Sequence, residues 1–310
     1  MTADTSRRPA NPPAGRSMAA NVALLSVVWM AWGLSYPIMK VALDAIDLWS
    51  SRCIVMLTGS AALLLVATTR GASLRVPRDL WPHLAVAAVF NMSIFQIGMS
   101  YGVLLLSPGR TALLIYTMPI WTAVLAALFL GERPSPRQLG ALALGVAGVI
   151  VLMTQDLSNL VNAPAGAGFT LMAAFSFAVG TVLMKRRAWR ADITVVAGWQ
   201  LLVGAVPLLV IRFATGAHTD WATVPLEGWL ATAFLALIAN ALAYIAWFRV
   251  VTALPATISG IGTLAVPVIG LVSSALALGE FVGWREITAL LCIGSALVIA
   301  LAQPRRAARL

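Results

Sequence analysis

Gln96 and Asn240 each place a carboxamide in the middle of a long apolar run, where an amide without a polar neighbour is expensive. Ser93, Gln96 and Ser100 recur at three- and four-residue spacing, which puts them on one face of a helix. Asn240, Tyr244 and Trp247 repeat that spacing later in the chain, and Ser259 and Thr263, followed by Gly270, form a third stripe. Trp32, Tyr36, Tyr101, Tyr116 and Tyr244 add aromatic surface. Amides, hydroxyls and rings in this pattern hydrogen-bond and stack; they are equipped to hold a small molecule, not to break a bond.

The groups that would break one are missing. All eleven acidic residues, from Asp4 to Glu286, fall in a tail, a connection or the end of an apolar segment. There is no Gly-rich phosphate loop, no histidine-rich metal helix and no nucleophile elbow, so neither a cofactor nor a metal is expected. His83 lies near a segment end, and Cys53 and Cys292 each stand alone in an apolar run. An enzyme working inside such segments would need a nucleophile with its base, or metal ligands, at their centre. A non-transporting scaffold would need no polar stripes at all.

The elements that carry these residues follow from composition. The chain has 310 residues, of which 60% are apolar and only 10% charged, with a mean hydropathy of +0.91. A soluble domain carries about 25% charged residues, so this is an all-α integral membrane protein. About 20 apolar residues in a helix span the hydrocarbon. Ten segments qualify, at 18–39, 48–69, 80–106, 110–130, 138–154, 165–184, 193–213, 228–248, 256–278 and 286–303, the fifth and tenth being short. The first segment, preceded by Arg7, Arg8 and Arg16, is too long for a cleaved signal peptide and is expected to stay as a helix. In such helices Ser, Thr, Asn and Gln have a plainer use, tying helix to helix for about 0.6 kcal/mol each. Tyr36, Tyr101 and Tyr116 could likewise belong to the interfacial aromatic belt, although Tyr116 lies well inside its segment.

Charge sets the orientation. With the N-terminus in the cytoplasm, only Lys40, Arg52, Arg110, Arg212 and Arg285 of the 21 Lys and Arg residues fall outside. Both termini are then cytoplasmic, and the net charge of +10 faces anionic lipid headgroups; no basic stripe suits nucleic acid. Residues 1–17 form a Pro-rich disordered tail and 304–310 a short basic one.

Between the tails the chain repeats itself. "MPIWTAVLAALFLGE", with Pro119, Gly131 and Glu132, overlays "VPVIGLVSSALALGE", with Pro267, Gly279 and Glu280, at an offset of 148. Pro108 matches Pro255, and Met39-Lys40 matches Met184-Lys185 at segment ends. The repeats span 18–154 and 165–303, five helices each, and an odd number makes the second enter the membrane from the opposite side. Pro119 and Pro267 fall near the middle of their segments, where each would free a carbonyl and serve as a matched hinge. Pro37, with Gly33 beside it in "WGLSYPIMK", is expected to bend the end of the first helix toward an aqueous vestibule.

Duplicated five-helix units, "WGLSYPIMK" in the first helix and the "P…GE" pattern of the fourth and ninth resemble EamA-type members of the drug/metabolite transporter superfamily over residues 20–303. "YGVLLLSPGRTA" followed by "LLIYTMPIW" is most similar to the YddG-type exporters of aromatic amino acids. The resemblance implies a multi-pass protein of a bacterial-type inner membrane, with a central cavity lined by helices 1, 3, 4, 6, 8 and 9 and export from the cytoplasm. On that basis Trp32, Tyr36, Ser93, Gln96, Tyr101, Tyr116, Asn240, Tyr244, Ser259 and Thr263 are the expected substrate contacts. Pro37, Pro119 and Pro267 are the expected hinges. The expected cargo is a small neutral or zwitterionic metabolite, foremost an amino acid, moved without a proton-binding carboxylate; other small lipophilic metabolites or drugs are the alternative.

Overall fold

The computed structural model describes residues 18–106, 111, 114–154, 163–278 and 283–302, with the side chains of Tyr36, Met153, Leu271, 274–278 and Glu286 outside that set. Helices alone make up the regular structure of the described residues. Six are long and apolar enough to cross a membrane: α1 (Met18–Ala45), α2 (Leu48–Thr69), α3 (Arg78–Leu105), α6 (Pro164–Arg186), α7 (Ile193–Thr215) and α8 (Leu226–Ala253). Four are shorter: α4 (Met118–Leu130), α5 (Pro136–Met153), α9, in two pieces (Ala256–Gly262 and Ala265–Leu278), and α10 (Trp284–Leu301).

Local chemistry explains several ends. Asp47 caps α2 by accepting from the Ser50 N–H at 2.9 Å. Ser135 and Gln138 form a reciprocal capping box ahead of α5. Gly131 closes α4 at φ 65°, a left-handed conformation that costs glycine little. Leucines such as Leu128 and Leu291, each about 70% exposed, face outward, as a surface in contact with lipid tails requires.

Packing gives the assembly a two-fold pattern. Helix α2 packs on α7, and α5 on α10; α1 packs on α8 and α9, while α6 packs on α3 and α4. Replacing every helix by the one five places along turns this set of pairs into itself. Gly33 and its repeat counterpart Gly180 are the points of closest approach: a Cβ at Gly33 would lie 2.6 Å from Ile269 Cβ on α9, and one at Gly180 2.5 Å from Asn91 Cβ on α3. Neither position has room for a side chain.

Three sequence expectations need correcting. First, α1 does not close at Lys40 but runs through Pro37 to Ala45. Ser35 and Lys40 are both helical, and Lys40 pairs with Asp44 at 3.2 Å on the surface. Second, α4 and α9, not α5 and α10, are the interrupted helices. Turns at Tyr116-Thr117 and at Thr263-Leu264 break them, each drawn tight by i to i−3 bonds. Thr117 and Thr263 donate their hydroxyls to the carbonyls three residues back, Leu114 at 2.8 Å and Gly260 at 2.7 Å. Third, Pro119 and Pro267 consequently sit in the first turn after each break, not mid-helix, where a missing N–H leaves no intrahelical bond unmade.

Candidate transport cavity

The interior of α3 and of α8 departs from α geometry at matching places. Residues Val89–Ile94 and Leu235–Leu242 are π-helical, the first just before Gln96 and the second containing Asn240. A π turn leaves carbonyls poorly matched to the next N–H groups, a feature often found at functional positions. Asn240 meets one of them directly, donating from Nδ2 to the Leu235 carbonyl at 3.1 Å. Trp32 on α1 meets another, its Nε1 donating to the Ala239 carbonyl at 2.8 Å.

Beside these segments lies a cavity of about 650 Å³, counting its open end. Its walls come from α1 (Trp32, Ser35, Met39), α2 (Arg52), α3 (Phe95, Gln96, Met99), α4 and the residues just before it (Ile115, Tyr116, Met118), α6 (Phe177) and α8 (Leu235, Ala239, Asn240, Tyr244). One wall is aromatic. Trp32 meets Phe177, Tyr244 and Trp247 at ring-centroid distances of 5.9, 5.7 and 5.9 Å, and Phe177 meets Phe95 at 5.1 Å. These separations suit edge-to-face and tilted packing, which stiffens the wall.

Of the residues expected at the site, Trp32, Gln96, Tyr116, Asn240 and Tyr244 come together on this one surface. The others lie elsewhere. Ser93 donates to the Gly204 carbonyl of α7 at 2.9 Å, the helix-tying use of a serine. Tyr101 is stacked on Phe169 at 4.8 Å and edge-on to Trp49 at 5.5 Å, joining α3 to α6 and α2. Ser259 and Thr263 are buried and bond their own helix backbone. The side chain of Tyr36 lies outside the described residues. Arg52 and Phe177 line the cavity although the sequence reading left them out. Arg52 sits one turn into α2, and charge counting alone puts it among the outer cations; Phe177 belongs to a run with no polar stripe to mark it.

Polar knots flank the bundle. Glu132, just past α4, accepts from the Ala256 and Thr257 N–H groups at 2.8 and 3.3 Å and from the Thr257 hydroxyl at 3.4 Å, at the start of α9. Lys185 at the end of α6 lies 3.7 Å from that carboxylate and donates to the carbonyls of Val251, at 3.4 Å, and Leu254 at the end of α8. Four helix ends are thus held by two side chains. In a second knot, Asp47 accepts from the Thr219 hydroxyl at 2.5 Å, and Arg212 donates to Ser50 at 2.7 Å. Burial pushes the Asp47 carboxyl up, but the hydrogen bonds from Ser50 and Thr219 and the charge of Arg212 outweigh it and hold the group below its ordinary value.

The EamA-like transporter family model matches residues 20–154 and again 164–302. An Escherichia coli protein named "Probable amino-acid metabolite efflux pump" is 28% identical over 90% of this chain and 91% of its own length. A Streptantibioticus cattleyicolor protein named "Probable terminal-alkyne amino-acid exporter" is 27% identical over 85% of this chain and 86% of its own. One solved crystal structure superposes with a TM-score of 0.79 at 19% identity, covering 92% of this chain and 97% of the other, a likeness of fold.

Proposed function

Because the chain belongs to the EamA-like transporter family, we propose that it is a secondary exporter of small zwitterionic metabolites, amino acids with aromatic side chains among them, working by alternating access through the central cavity. It is a transporter, not an enzyme. The observation that carries the proposal is the meeting of Trp32, Gln96, Tyr116, Asn240 and Tyr244 on one surface from both halves of the chain. Rings offer stacking to a cargo side chain, and two carboxamides offer donors and acceptors to its amino and carboxylate groups. The names of the two amino-acid exporting relatives support the same cargo class.

In this proposal the bundle crosses the membrane ten times as two inverted five-helix repeats, 18–154 and 165–303, with both termini in the cytoplasm of a bacterial inner membrane. The exchange of helix pairs five places along supports such a relation. The breaks at Thr117 and Thr263, each just ahead of a proline, supply matched flexible points, and Pro37 a third within α1. Among the described residues the cavity wall holds no carboxylate. That supports movement of cargo down its own gradient, without proton coupling at this site.

The test is counterflow of labelled tryptophan into proteoliposomes loaded with unlabelled amino acid, with and without a pH gradient. Uptake indifferent to the gradient and lost when Gln96→Ala and Asn240→Ala are combined is the expected result. Absence of counterflow by correctly folded protein would overturn the amino-acid assignment.

A further inference from the structure

Arg52 is only 5% exposed, yet it lines the same cavity as Gln96, Tyr116 and Asn240. It is the one Lys or Arg on that wall among the described residues, and the wall they form carries no Asp or Glu. A guanidinium stays ionised at any physiological pH, so the described wall carries a fixed positive charge. Burying such a charge is costly, and a purely structural position would be served as well by an apolar side chain.

Resting on the export assignment above, we propose that Arg52 is the carboxylate anchor of the transport cavity and restricts the cargo to molecules with a free carboxylate. A guanidinium presents paired N–H groups that match both oxygens of a carboxylate, a geometry that neither a carboxamide nor an ammonium cargo can satisfy. One of its partners is weak: Nη2 lies 2.8 Å from the Met39 sulfur. A thioether is a poor acceptor, so an arriving carboxylate readily takes that N–H group from it. With its carboxylate on Arg52, an amino acid directs its side chain toward Trp32, Phe177 and Tyr244 and its ammonium toward the carboxamides. The same charge repels amines. Arg52 therefore sorts acids from amides and amines, while the aromatic wall sorts by side chain.

Counterflow and ligand-induced thermal shift are measured for tryptophan, tryptophanamide and tryptamine, and for leucine and leucinamide, with wild type, Arg52→Gln and Arg52→Lys. Wild type is expected to favour each acid over its amide by about 10- to 100-fold, the range set by one charge-assisted hydrogen bond. In R52Q that ratio collapses while amide transport is unchanged. R52K keeps part of the preference, since a point charge attracts a carboxylate without pairing both oxygens. Because the acid-to-amide ratio is taken within one variant, partial misfolding lowers both members and leaves it unmoved. If the acids move and R52Q keeps the wild-type ratio, or if wild type carries the amides equally well, the anchor is refuted and the export assignment stands. If neither acid moves through folded wild type, both fall together.

Discussion

Removing the Glu132 carboxylate tests whether the four helix ends it gathers act as one latch. In Glu132→Ala, the N–H groups of Ala256 and Thr257 lose their acceptor, as does the Thr257 hydroxyl. The carboxylate side chain is less than a quarter exposed, so these bonds are only partly replaced by water. A hydrogen bond to a charged group contributes about 1.5 to 3 kcal/mol. The 2.8 Å bond contributes the full range, and the longer pair adds a fraction, giving a destabilisation of about 2 to 4 kcal/mol. The ion pair itself is long at 3.7 Å, and Lys185 keeps its two carbonyl acceptors, so coupling between the two side chains is about 1 kcal/mol or less. A double-mutant cycle of Glu132→Ala with Lys185→Ala, read by thermal unfolding in detergent, measures that coupling directly. Since the bonds exist only while the ends of α4 and α9 touch, removing them also shifts the balance toward an opening on that face. Ser35→Cys, placed on the cavity wall in a background without Cys53 and Cys292, reports this as faster alkylation. Unchanged melting with unchanged alkylation in Glu132→Ala would refute the latch, and a coupling well above 2 kcal/mol would refute the assignment of its strength to the backbone bonds.

Packing and charge each give a further prediction. Gly180→Ala puts a Cβ 2.5 Å from Asn91 Cβ and 2.8 Å from its Cα, and since a backbone atom cannot rotate away, stability should fall by about 1 to 3 kcal/mol in thermal unfolding. The Asp47 carboxyl is held below its ordinary value of 3.8 in the folded protein, so its contribution is complete above that pH and is lost as pH falls through the lower folded value. Iodide quenching of Trp221, two residues from Thr219, should therefore rise only below about pH 4, and Asp47→Asn should show the quenched behaviour already at neutral pH.

How much of this was legible in the sequence depends on what each residue had to reveal. Hydropathy marks a helix wherever a long apolar run exists, so the placement of the long helices followed directly. Gln96 and Asn240 were legible because an amide in such a run has few inexpensive surroundings, and both line the cavity. Ser93 was not, because a hydroxyl is satisfied equally by a neighbouring carbonyl, here that of Gly204. The breaks in α4 and α9 were misplaced onto the prolines themselves. A proline terminates the helix before it as readily as it kinks one, and the threonine hydroxyl that stabilises the turn leaves no pattern of its own. Arg52 was hidden by the charge rule, which counts a cation near a helix end without asking which way a long side chain reaches.

The π turns of α3 and α8 bear on how such a cavity can change between relatives. Each holds one residue more than the α-helical turn it replaces. Deleting a single residue there would restore α geometry and rotate everything beyond by about 100° around the helix axis. Gln96 would swing off the wall in one helix, and Tyr244 in the other. A one-residue deletion, invisible to hydropathy and harmless to the length of either helix, would thus exchange the chemistry of the lining without altering any other part of the chain.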